Sequence, residues 1–202
     1  MIARLPHPRS IAIVAAVVIV AFAIAGTIVG TYTSGSPFNL VNEKTIPAFF
    51  SGAVLGCVGL CALLAAHCRI AAKPIYWVAF ALLMLVMSFD EVAGLHEKIE
   101  HWSGIDWQTV YAPVFVVAAV VWWMLLSRLE RLPRAMLLAG AAAWAVAQVL
   151  EYFEYDSADQ PVRGFSAMVI VEETLETTGS VLFLLAVVIT LRATLPSEGR
   201  RP

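Results

Sequence analysis

Trp77-Val78-Ala79-Phe80-Ala81-Leu82-Leu83-Met84-Leu85-Val86-Met87-Ser88-Phe89-Asp90-Glu91-Val92-Ala93-Gly94-Leu95-His96-Glu97 carries no charge as far as Phe89, then sets two carboxylates side by side. It continues as Lys98-Ile99-Glu100-His101-Trp102. The apolar part is composed like a segment sinking into a bilayer. A charge inside a bilayer is expensive and by default marks a function. Acid recurs in the same setting at Glu151-Tyr152-Phe153-Glu154 and at Glu172-Glu173-Thr174-Leu175-Glu176.

The rest of the chain makes the membrane reading general. Of 202 residues, 60% are hydrophobic and 14% charged, with a mean hydropathy of +0.82. Soluble domains carry about a quarter charged residues. The net charge of −2 offers no basic face to nucleic acid. Three cysteines make no disulfide framework. Cys57 and Cys61 stand one helical turn apart among Gly52, Gly56 and Gly59, which reads as a helix-packing seam.

The expected fold is an all-α integral membrane bundle of six transmembrane helices, a single domain over 1–202, with spans at 11–33, 46–68, 74–101, 109–127, 133–155 and 165–191. Pro47 and Pro133 fall in first turns, where proline is tolerated. The first span outruns the ~7–15 apolar residues of a signal peptide, so it is read as uncleaved. With six spans, Arg4, Arg9, Arg69, Lys73, Arg128, Arg131, Arg134, Arg192, Arg200 and Arg201 share one side. Lys44, Lys98 and Arg163 take the other. The positive-inside rule then puts both termini in the cytoplasm of a cell inner membrane and the acids toward the outer face. At about 1.5 Å per residue, Asp90 rises roughly 24 Å above Pro74 and Glu151 roughly 27 Å above Pro133. Glu172 lies roughly 9 Å below Ser166. Three helices thus carry acid at one level.

In regular helices Asp90, Gly94, Glu97 and His101 form one stripe, Gln148, Glu151, Tyr152 and Tyr155 another, and Glu172, Glu176 and Gly179 a third. Gly94 and Gly179 let backbones approach beside the acids. Glu91, His96 and Glu173 fall off the stripes, and Glu91, Glu100 and Glu154 are expected to be peripheral. So many carboxylates cannot all stay charged and unpaired in low dielectric. The leading reading is a divalent metal ion (Zn, Mn, Fe or Ca) held by Asp90, His96, Glu97, Glu151, Glu172 and Glu176. Glu91 or Glu173 would act as general base on water. His96-Glu97-Lys98-Ile99-Glu100-His101 departs from the zinc-protease pattern by one residue, which turns the second imidazole about 100° round the helix.

Ser88-x-Asp90-Glu91-x4-His96-Glu97, then Tyr111-x-Pro113, Glu151 and Glu172-Glu173-x-x-Glu176, resembles a group of small multi-pass bacterial membrane proteins that brings no activity to transfer. The resemblance covers the third to sixth spans and favours His96 over His101 as a ligand. The functional expectation is a metal-dependent enzyme, a hydrolase of a lipid-like or periplasmic substrate, with the bilayer as its partner. A carrier element for protons or divalent cations, and an accessory subunit with a structural polar network, are the other readings.

Overall fold

The structure, a computed structural model, describes residues 46–105, 107–153 and 165–194. The span expected at 11–33 and the polar loops at 34–44 and 156–164 lie outside the described residues. The described elements are α1 (Ile46–His67), α2 (Pro74–Ala93), α3 (Leu95–Ser103), α4 (Trp107–Leu126), α5 (Arg131–Tyr152) and α6 (Phe165–Thr194). All the secondary structure of the described residues is helical. Among the described residues, five helices are long and apolar enough to cross a membrane, through the stretches Phe49–His67, Pro74–Ala93, Trp107–Leu126, Arg131–Glu151 and Met168–Ala193.

One expected element is divided. In place of a single helix over 74–101 stand α2 and α3, separated at Gly94 with φ 55° and ψ 51°. This left-handed conformation costs an L side chain about 1–2 kcal/mol and glycine almost nothing. The Gly94 N–H still reaches the Asp90 carbonyl at 2.8 Å, so α2 closes its last turn before the chain changes direction. The stripe drawn through Asp90, Gly94, Glu97 and His101 therefore belongs to no continuous helix. At nine residues, α3 is about 14 Å long and too short to span.

Apolar surface gains little from moving between lipid and protein, so small residues and close packing hold such helices together. The α1–α2 contact shows this. A Cβ on Gly52 would lie 2.7 Å from Val92 Cγ2, and one on Gly59 would lie 2.6 Å from Leu85 Cγ. Ser88 Oγ donates across the same seam to the Gly52 carbonyl at 2.6 Å. The seam read from Gly52, Gly56 and Gly59 is thus where α1 meets α2. On the other side of the bundle α5 crosses α6, where a Cβ on Gly179 would lie 2.8 Å from the Gly140 carbonyl oxygen.

Between these pairs α1 packs on α6. The core runs through Leu55, Val58, Trp77, Phe80, Leu137 and Val187. Trp77, fully buried, donates its indole N–H to the Ile70 carbonyl at 2.7 Å and pins the turn between α1 and α2. Helix α4 rests mainly on α2, and its far side, including Val116 and Trp123, is exposed.

Candidate functional site

The C-terminal end of α2 decides where the first acids go. Because Gly94 breaks the helix, Asp90 can turn its carboxylate onto the start of α3. Asp90 Oδ1 accepts the His96 backbone N–H at 2.8 Å, as a capping residue does for a helix start. Asp90 Oδ2 lies 3.3 Å from His96 Nδ1, which fixes the imidazole. The imidazole ring also packs against Trp107 of α4, with centroids 5.2 Å apart. The side chains of His96 and Asp90 keep 23% and 14% exposure, so the pair is shielded and not sealed.

A second assembly lies between α2, α5 and α6. Glu91, Glu173 and Glu176 offer carboxylate oxygens all within 4.8 Å of one another, and so do Glu151, Glu172 and Glu176. Glu176 belongs to both groups because Glu172 and Glu173 precede it by four and three residues, the two spacings that meet on a helix face. Glu172 and Glu176 are buried, at 7% and 8% exposure, and Glu91, Glu151 and Glu173 are half-buried. Two unit charges about 5 Å apart repel by ~3 kcal/mol at an effective dielectric near 20. The assembly therefore requires protons or a cation to neutralise it.

The polar residues around it are arranged to hold carboxylates. Gln148 Nε2 donates to Glu151 Oε2 and to Glu176 Oε1, each at 3.1 Å, and so ties α5 to α6. Trp107 Nε1 donates to Glu151 Oε1 at 3.2 Å, bringing in α4. Ser180 Oγ donates to the Glu176 carbonyl at 2.9 Å and receives the Trp144 indole N–H at 3.3 Å. One atom is left over. The Gln148 carbonyl oxygen is buried and has no hydrogen-bond partner among the described residues. An orphaned buried acceptor beside carboxylates suits a donor or a cation.

The residues expected as ligands divide accordingly. Glu151, Glu172 and Glu176 meet, as the shared depth on α5 and α6 implies. Asp90 and His96 pair with each other and join neither group of three. Glu97 follows His96 in the first turn of α3. Glu91, expected at the periphery, instead joins Glu173 and Glu176. The α1 seam explains this, because Val92 and Ser88 face α1 and the Glu91 Cβ lies 3.6 Å from where a Gly52 Cβ would stand. Glu100 is half-buried in α3, and Glu154, Tyr155 and Arg163 lie outside the described residues. Lys98 is exposed and donates to the Ala93 carbonyl.

Trp107 is the member that the reading of motifs does not find, and Gln148 stands on the expected stripe with no role assigned to it. For Gln148 a signal exists in its three-residue spacing from Glu151. For Trp107, which bonds across 44 residues, no local signal exists.

The family described as a domain of unknown function (DUF8692) matches residues 10–191. No curated protein and no solved structure matches the chain.

Proposed function

The chain belongs to the DUF8692 family, and we propose that it is a six-span inner-membrane protein with cytoplasmic termini that holds a divalent cation in its outer half and hydrolyses a lipid-like substrate there. The sixth span in this reading is the apolar run at 11–33. The observation that carries the proposal is the pair of three-carboxylate groups sharing Glu176, with the orphaned Gln148 oxygen beside them. An oxygen-rich donor set of this kind suits a hard or borderline divalent ion.

Glu151, Glu172 and Glu176 form the more buried group and would hold the cation. A bound cation there supplies Lewis acidity and offsets the repulsion among the carboxylates. Glu91 and Glu173, less buried, take a proton from the attacking water and return it to the leaving group. Gln148 and Trp107 hold Glu151 and Glu176 in place by donating to them. The Asp90–His96 pair provides a second proton acceptor at the same end of the bundle, with Asp90 orienting the imidazole.

Gln148 also favours one other reading. By donating to two glutamates at once it resembles the centre of a polar network that locks α5 to α6, and such a network can store or relay protons without a metal. Elemental analysis of the purified protein separates the two. The metal reading expects a stoichiometric divalent ion that is lost in Glu176→Gln. Absence of any such ion, together with indifference to added Zn, Mn, Fe or Ca, leaves the proton network.

A further inference from the structure

Three inward-facing stripes run from the core to the polar level. On α1 the stripe is Ala62, Val58 and Leu55, and the next position on that face is Ser51. On α2 the stripe through Trp77, Phe80 and Met84 continues to Glu91. On α6 the stripe through Val187 and Phe183 continues to Ser180, Glu176 and Glu173. A Cβ on Gly52 would stand 3.6 Å from the Glu91 Cβ, so Ser51, one residue earlier, lies at the level of Glu91. It faces between α2 and α6, the two helices whose Glu91, Glu173 and Glu176 bring their carboxylate oxygens together.

Ser51 differs from the other hydroxyls of the bundle. Thr174, Ser180 and Thr190 each donate to the carbonyl four residues before them, at 2.6, 2.9 and 2.8 Å. Ser88 donates across the α1–α2 seam to Gly52. Ser51 is 2% exposed, and its Oγ has no hydrogen-bond partner among the described residues. A buried hydroxyl left bare is costly, and in a helix the carbonyl one turn back is the usual relief. The Ser51 hydroxyl is packed too closely for water to reach. A small cation still can, because oxygens ligate Mg or Ca at about 2.0–2.6 Å, whereas a hydroxyl and a water stay about 2.7–2.8 Å apart. Oxygens around one such ion lie up to about 5 Å from one another, and the three carboxylate oxygens here are all within 4.8 Å.

We propose that Glu91, Glu173, Glu176 and Ser51 hold a second divalent cation, bridged through Glu176 to the one at Glu151 and Glu172. The proposal rests on the metal reading of the site and deepens it. The donors are all oxygen and one is a neutral hydroxyl, so the ion is a hard one, of the class of Mg, Ca or Mn. A single divalent ion offsets at most two of the charges that the five carboxylates can carry, and the second answers the repulsion that the first leaves. Glu91 and Glu173 each give the ion one oxygen and keep the other for the proton.

The test titrates the full-length protein in detergent with Mn(II) alone, counting bound Mn by elemental analysis and recording its electron paramagnetic resonance spectrum. Two Mn per chain are expected, with the exchange-coupled spectrum of ions about 3.5–4 Å apart. Glu91→Gln should leave one Mn with an uncoupled six-line spectrum. Ser51→Ala should weaken the second Mn by at least about tenfold, the lower end of what losing even an outer-shell partner costs a metal site. Without Mn, Ser51→Ala should unfold at or above the wild-type temperature, because it removes only a bare hydroxyl. A lower unfolding temperature there, or a coupled pair that Ser51→Ala leaves unchanged, would overturn the proposal. One uncoupled Mn that is lost in Glu172→Gln and unaffected by Glu91→Gln would overturn it while keeping the single cation of the proposed function. Absence of bound Mn, Mg and Ca would overturn it too, and analysis for Zn and Fe then decides the first site by itself.

Discussion

Replacing Glu176 by Gln probes the assembly at the one residue its two carboxylate groups share. The substitution keeps the shape of a side chain that is only 8% exposed, and its amide oxygen can still accept from Gln148. What it removes is a charge that lies within ligand reach of Glu91, Glu151, Glu172 and Glu173. Each like-charged pair at this spacing is worth ~3 kcal/mol at an effective dielectric near 20, less whatever bound protons already offset. Without a cation, Glu176→Gln should therefore unfold at or above the wild-type temperature. With the cation, the order should invert. An ion at about 100 times its dissociation constant stabilises the wild type by about 2.7 kcal/mol, and the variant, short of a ligand in both groups, gains little of this. Thermal unfolding of both proteins in detergent, with and without chelator, reads the crossing directly. A variant that holds stoichiometric metal, or curves that keep the same order in both conditions, would refute the reasoning.

The geometry sets three further outcomes. Gly94→Ala forces a side chain into the left-handed conformation at φ 55° and should cost about 1–2 kcal/mol, seen as a lower unfolding temperature. Gly179→Ala sets a Cβ 2.8 Å from the Gly140 carbonyl oxygen and against the Trp144 ring, so α5 and α6 must separate. It should destabilise by about 1–3 kcal/mol, while Ala on Gly56, which meets only the Ser88 side chain, should cost less in the same assay. Single cysteines at Ala71 and Ser157, after removal of Cys57, Cys61 and Cys68, should label from opposite faces of the membrane; labelling from one face ends the six-span topology.

The levels of the acids are legible in the sequence because rise per residue is fixed, so counting from Pro133 and into α6 already aligns Glu151 with Glu172. Which way each acid points is less legible. A wheel drawn through 74–101 assumes one helix, and a lone glycine inside a helical pattern is ordinarily tolerated. Nothing local announces that Gly94 adopts the left-handed form, since that depends on Asp90 being able to cap the start of α3. Glu91 escapes the wheel for a related reason. Its direction is set by how tightly Gly52 lets α1 approach α2, a fact of packing between segments far apart in sequence. An indole such as Trp107 is unremarked near a membrane interface, because that is where indoles gather. Its second role needs the α5 glutamate at 3.2 Å, which only the assembled bundle provides.

The capping of α3 by Asp90 bears on how a mutational scan of this protein should be scored. Both oxygens of Asp90 are engaged with His96, one on the backbone and one on the ring. Replacing Asp90 therefore unfastens a helix start and lets the imidazole swing, so the expected penalty falls first on the amount of protein that accumulates. Glu176→Gln retains its neighbours and its volume, so without the cation its abundance should hold, and on the proposed function its penalty falls on specific activity. A screen that reports growth alone merges the two columns and would rank Asp90 beside Glu176 as equal members of a reaction centre. Dividing each score by membrane-extracted protein separates a position that the fold depends on from a position that the proposed chemistry depends on.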